Sequence, residues 1–209
     1  FPTDFSIAYF CFTSAKDGLL HMDMSQNLRI FSCDSKGNTN NMLPVYGKST
    51  IIGIAAGETY YFQSTTTWGA SITMDVSFEE GKPYLPLELL DVSPKDGSRY
   101  HTTYKEGNVT FTFNGRVSTE DISANLTLAN GEEIRLNDYQ ASEDYNTQGT
   151  IYTLHVAGIY KSLLEGGKLN AGEKFDITLS NIADPSNAEN RYEGKLKVTY
   201  TATAAPTKL

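Results

Sequence analysis

Short runs of alternating apolar and polar residues, each closed by a Gly, Asn or Asp turn, predict an all-β protein made of two β-sandwich domains in tandem. The alternation runs from Phe5 to Tyr200 and breaks once, at Glu79–Pro86, where two prolines and a Gly stand too close together for an interior ladder. That break places a small β-sandwich over 1–80, a stiff linker over 81–86, a larger sandwich over 87–202 and a tail over 203–209. Tyrosine usage agrees with the class. The 13 Tyr suit half-buried pleated surfaces, where the ring packs and the hydroxyl stays wet.

In the first half, Phe5–Phe12 is apolar on both faces and is expected at the centre of a sheet. Lys16-Asp17-Gly18 is a hairpin turn. Leu20, Met22 and Met24 alternate with His21 and Asp23 in the next strand. Leu28–Cys33 is read as a separate strand, closed by the turn Asp34-Ser35-Lys36-Gly37-Asn38. Ser49–Ile54 and Thr59–Gln63 follow, then Ser71–Phe78 with Ile72, Met74, Val76 and Phe78 on one face.

The second half restarts at Leu87–Val92 and turns at Ser93–Gly97. Val109, Phe111 and Phe113 mark a strand with one apolar face. Ser118–Asp121 is expected to cap a single helical turn. Asn130-Gly131 is a tight hairpin between Leu126–Leu128 and Glu133–Leu136. Tyr152, Leu154 and Val156 form another strand face. Tyr160–Glu165 before Gly166-Gly167 suits a short helix with a Gly stop. Phe175–Leu179 and Leu196–Tyr200 alternate again, and the chain after Tyr200 is expected to fray.

Composition excludes several function classes. The net charge of −8 is shared: residues 1–82 carry 5 basic and 8 acidic side chains, residues 83–209 carry 12 and 17. Without a basic stripe, nucleic acid and anionic membrane surfaces are poor partners. No run approaches the ~18 apolar residues of a membrane-spanning helix. Phe1-Pro2-Thr3 offers neither the basic nor the apolar segment of a signal peptide and no initiating Met, so the expectation is a chain from which upstream sequence was removed. Cys11 and Cys33 match no metal-site spacing, and two buried thiols or one disulfide both stand open.

The second half, over roughly 86–202, resembles the bacterial immunoglobulin-like domains of secreted and surface proteins. The likeness is carried by SPKDGS, by NVTFTFNGRVS with Phe113-Asn114-Gly115-Arg116-Val117 at its end, and by AGEKFDITLSNIADPSNAENRYEGKLKVTY with Ile182, Asp184 and Asn187. The first half resembles the β-sandwich domains appended to secreted bacterial peptidases, called pre-peptidase C-terminal domains. It does so through YFCFTSAKDGLLHMDMS and GIAAGETYYFQSTTTWGASITMDVSF. Together they imply a small jelly-roll-like sandwich followed by an immunoglobulin-like one, in the style of Bacteroidota envelope proteins, outside the cell or on its surface. Neither resemblance brings catalytic residues.

The residues themselves point the same way. There is no G-x-S-x-G element, and His21, His101 and His155 share no local motif, so no nucleophile–base pair is expected. The adjacent carboxylates Glu79-Glu80, Glu132-Glu133 and Glu143-Asp144 point to opposite strand faces and make no acid–base pair. Asp184–Asn187 with Asn190 has oxygen donors but no regular calcium spacing; turn formation explains them without a metal, and no cofactor is expected.

Trp68, within Thr65-Thr66-Thr67-Trp68-Gly69, is the candidate ligand-binding residue, with Tyr60, Tyr61, Tyr139 and Tyr145 beside it. An exposed aromatic ring stacks on the apolar face of a sugar or anchors a protein contact. The same Trp ring can instead fold back over the end of the core. Recognition loops are expected at Asn38–Tyr46, Thr65–Gly69 and Gln140–Gly149. The expectation is a non-enzymatic module for adhesion, ligand presentation or glycan contact, with a glycan or surface protein as partner. The alternatives are an accessory region of a larger extracellular hydrolase, or a plain surface spacer.

Overall fold

The computed structural model describes residues 5–39, 45–67, 73–102, 107–144 and 149–204. The chain divides into two compact units, Phe1–Leu85 and Pro86–Leu209. Both are built almost wholly of antiparallel strands, and among the described residues no sheet closes into a barrel.

The first unit holds β1 (Phe5–Thr13), β2 (Gly18–Cys33), β3 (Val45–Ile54), β4 (Thr59–Thr67) and β5 (Met74–Glu80). They make one sheet in the order β1-β4-β2-β3, with β5 also paired to β2. The two strands expected over Leu20–Met24 and Leu28–Cys33 are one strand, β2. Its register with β3 slips between Asp23 and Leu28, so the polar stretch is a bulge rather than a turn. The first arm of β2 pairs with β5 and the second with β4. The sheet thereby folds on itself. Phe12 of β1 meets Phe78 of β5 at 5.4 Å although the two strands share no ladder. Leu20, Met22, Ile30, Ile54 and Phe62 fill the space between the two arms.

One further expectation for this unit is corrected. β1 lies at the edge of its sheet, not at its centre, and the apolar residues of its outer face are exposed rather than covered. Val76 faces inward with Met74 and Phe78, yet stays half exposed because β5 is itself an edge strand. The segment after β5 is held down: Pro83 O lies where a Cβ at Gly53 would stand, 1.8 Å away, so only glycine admits this crossing of β3.

The second unit contains β6 (Leu89–Ser93), β7 (Arg99–Tyr100), β8 (Asn108–Phe113), β9 (Ser123–Leu128), β10 (Glu133–Leu136), β11 (Tyr139–Glu143) and β12 (Thr150–His155). After the helix α1 (Ala157–Glu165) come β13 (Lys174–Ser180), β14 (Ala183–Asp184), β15 (Asn187–Arg191) and β16 (Leu196–Ala202). Two main sheets, β10-β9-β13-β16-β7 and β11-β12-β8-β6, face each other. Strict alternation on β8, β9, β12, β13 and β16 turns Phe111, Leu126, Tyr152, Ile177 and Val198 into the common core.

One end of this core is aromatic. The rings of Tyr100, Tyr160, Phe175 and Tyr200 lie 4.6 to 5.9 Å apart, all fully buried. Each tyrosine hydroxyl ties down a different segment. Tyr100 donates to Gly107 O, Tyr160 to Thr203 O at 2.7 Å and Tyr200 to Pro94 O at 2.8 Å. Thr203 N donates back to the Tyr160 hydroxyl at 2.7 Å, and Thr203 Oγ1 donates to Tyr100 O at 2.6 Å. The expected fraying after Tyr200 is thus absent through Thr203, and β16 itself extends to Ala202. Ser118–Asp121 forms a turn closed by Ser118 Oγ donating to Asp121 Oδ2 at 2.6 Å, not a helical turn. Part of the stretch expected as a loop, Gln140–Glu143, lies in the edge strand β11.

Candidate functional site

The parity of β4 decides which aromatic rings face solvent. Phe62 points into the core of the first unit, so Tyr60 points inward and Tyr61 and Gln63 point outward. On the neighbouring β1, Phe10 and Phe12 follow Phe62 and Tyr60 inward, while Ile7, Tyr9 and Cys11 stand on the outer face. Cys33 on β2 also pairs with Tyr61, which makes one row across the outer face: Cys11, Tyr61, Cys33.

Over this row lies a pocket of about 380 Å³, walled by Tyr9, Cys11, Cys33, Tyr61 and the turn Asp34–Gly37. Asp34 builds the turn. Its Oδ1 accepts from Lys36 N at 2.8 Å and Asn38 N at 2.9 Å, and its Oδ2 accepts from Asn38 Nδ2 at 2.9 Å. The Asn38 amide, side chain first and then backbone, holds the Asp34 carboxyl below the usual carboxylate range. The turn is therefore fastened above the ordinary Asp pKa and loosens as pH falls through the lowered one. Gly37 takes φ +82°, and a Cβ there would lie 2.8 Å from the Tyr9 ring, so glycine lets that ring lodge against the turn. Tyr9 nonetheless remains 59% exposed.

The two thiols are free, Cys33 buried and Cys11 exposed. With β4 between them their Cα atoms stand two strand spacings apart, about 10 Å, beyond the ~4.4–6.8 Å a disulfide needs. Burial first, and then the charge of Asp34, raise the Cys33 thiol above its ordinary pKa and keep it protonated. We expect one alkylated thiol in the native protein without reductant, at Cys11, and two after denaturation without reductant. Intact mass checks this, and zero adducts after denaturation would show a disulfide instead.

The other residues singled out in the sequence fall in several places. Trp68 and Tyr145 lie outside the described residues. Tyr60 packs against the core, where its hydroxyl accepts from Ala55 N at 3.0 Å and donates to Glu58 Oε2 at 3.3 Å. Tyr61 lines the pocket. Tyr139, in the second unit, lies on β11 with its ring 5.1 Å from that of Tyr152. The sequence reading missed Tyr9 and Cys11, because a strand placed centrally would have had both faces covered.

The remaining candidates are occupied structurally. His21 sits 3.3 Å from Glu79, and His155 Nδ1 is 2.9 Å from Asn108 Oδ1 on the paired strand. Asp184 Oδ1 accepts from Ser186 N and Oγ, and its Oδ2 from Asn190 Nδ2 at 3.4 Å. Among the described residues no three His, Cys, Asp or Glu side chains come together as ligands for an ion.

No protein-family model and no curated protein matches the chain. Among solved structures it is similar to CopC from Methylosinus trichosporium OB3b, at 13% identity over 59% of this chain and 99% of that one, with a TM-score of 0.35. It is also similar to bovine butyrophilin, at 10% identity over 92% and 93% of the two chains, with a TM-score of 0.25. At such scores neither likeness bears on function, and the all-β architecture rests on the strands themselves.

Proposed function

We propose that this chain is a non-catalytic recognition module of a secreted or cell-surface bacterial protein, and that the outer-face pocket of the first unit contacts a glycan. The observation that carries the reading is the pair Tyr9 and Tyr61. They are diagonal neighbours on adjacent strands, roughly 7–8 Å apart at Cα, and both face the same pocket. Two phenol faces at that spacing offer stacking surface for a sugar ring, while Asp34, Ser35 and Lys36 at the rim offer hydrogen bonds to its hydroxyls. The volume of about 380 Å³ is in the range of small-ligand pockets.

The test is a polysaccharide and glycan array probed with the 209-residue chain, beside Tyr9→Ala, Tyr61→Ala and Trp68→Ala. Binding is expected, and each pocket substitution is expected to weaken it about tenfold or more, as for a buried aromatic anchor. Binding that survives both pocket substitutions but not Trp68→Ala moves the site to Trp68, past the end of β4. No binding to any glycan removes the reading.

A further inference from the structure

An edge strand exposes a row of unpaired N–H and C=O groups, and proteins ordinarily blunt such edges with charge, proline or bulges. The described edge strands of this chain follow that rule with one exception. In the first unit β3 carries Lys48, and β5 carries Asp75, Glu79 and Glu80. In the second, β6, β7, β10 and β11 carry Asp91, Arg99, Arg135 and Glu143. β1, with the sequence FSIAYFCFT, has no charged residue and no proline. Its register with β4 runs through all nine residues without a bulge. Among the described residues nothing pairs with its other edge. Two of the most exposed large apolar side chains stand on it, Ile7 at 48% and Tyr9 at 59%.

We infer that β1 is a docking edge for a second copy of this chain, pairing antiparallel with its own counterpart about a twofold axis that runs between Tyr9 and Tyr9 of the other copy. The strand itself favours this occupant. A twofold perpendicular to a sheet pairs residues of equal parity only, so one residue must oppose its own copy across the axis. Of the possible axes, only the one at Tyr9, the midpoint of Phe5–Thr13, pairs all nine residues. At that register Tyr9 opposes Tyr9 of the other copy and Ile7 opposes Cys11 on the outer face. On the inner face the small Ala8 opposes the large Phe10. Small-against-large pairs interlock, and aromatic and apolar cross-strand pairs are the stabilising ones.

Charge points to the same partner. The chain carries −8 overall, so two copies approach most readily through an element that carries none. A charged peptide would find no counter-charge on β1 to recognise. The paired sheets would carry both pockets on one face, because the twofold keeps outer faces together, and a surface with repeated ligands would then be held by two sites at once.

The experiment uses the full chain. Light scattering over a micromolar-to-millimolar series should show a monomer–dimer equilibrium. Directly opposed residues of an antiparallel pair lie about 4.5–5.5 Å apart at Cα, within disulfide range. Mild oxidation should therefore link two copies of Ile7→Cys while Cys11 is present. The link should vanish in the double variant with Cys11→Ser. Tyr9→Cys combined with Cys11→Ser should restore a covalent dimer through the residue that opposes its own copy across the axis. A monomer at every concentration overturns the proposal, and so does equal cross-linking from positions 7 and 9 in the Cys11→Ser background. No ligand enters this assay, so its outcome is separate from that of the glycan reading.

Discussion

Phe175→Ala is expected to destabilise the second unit by about 3–5 kcal/mol, the upper range for removing a buried ring. Phe175 sits at the middle of the aromatic end of that core, with Tyr100 at 5.6 Å, Tyr160 at 5.7 Å and Tyr200 at 5.8 Å. Removing it opens a void bounded by three rings whose hydroxyls each anchor a separate segment, at Gly107, Thr203 and Pro94. Collapse of those rings into the void would pull the hydroxyls from their carbonyls, so the site relaxes poorly and the cost stays high. Phe175→Leu keeps most of the volume and should cost less than half as much. Denaturant unfolding followed by peptide-resolved hydrogen exchange measures both. Loss of protection is expected over 87–203 and not over 5–80. A cost near 1 kcal/mol for Phe175→Ala would mean that the rings pack independently.

The strands of this core were plain in the sequence because each has one face inside and one outside. Val109, Phe111 and Phe113 alternate with threonines, and the structure buries those three and half-exposes the threonines. Where alternation is lost, the sequence misleads for identifiable reasons. The polar stretch Ser25–Asn27 interrupts the pattern of β2 as a turn would, although the strand continues through it as a bulge. β11 is exposed along its whole length, so no alternation marks it. β1 is apolar on both faces, which fits either a covered central strand or an unprotected edge, and only the pairing distinguishes them. The candidate pocket was legible in part. The outward direction of Tyr61 follows from its being next to Phe62. Its meeting with Tyr9, Cys11 and Cys33 depends on the registers β1–β4 and β4–β2, which no local pattern reveals.

Raising the pH above 10 is expected to unfold the second unit in a single cooperative step. Burial pushes Tyr152 up to about 12, with the nearby Tyr139 adding to the shift and Arg135 opposing it. Burial likewise lifts Tyr100 and Tyr200 above the ordinary tyrosine value, helped by Tyr160 and Tyr200 around the first and by Asp96 beside the second. The sign follows from proton counting. Above pH 10 an unfolded tyrosine loses its proton while these three keep theirs, so the unfolded state binds fewer protons and stability falls with pH. Their contribution is fully present below pH 10 and is lost as pH climbs through the raised values. Absorbance of tyrosinate should therefore rise together with loss of near-ultraviolet circular dichroism, rather than in independent steps. Tyr200→Phe separates this from general alkaline damage. At neutral pH it removes the bond to Pro94 O and should cost about 1 kcal/mol. At high pH it also removes one group whose ionisation favours the unfolded chain, so its stability should decline less steeply than that of the wild type. The two stability curves are expected to cross above pH 10. Parallel curves would mean that Tyr200 ionises as readily folded as unfolded, and that the aromatic end of the core is open to water.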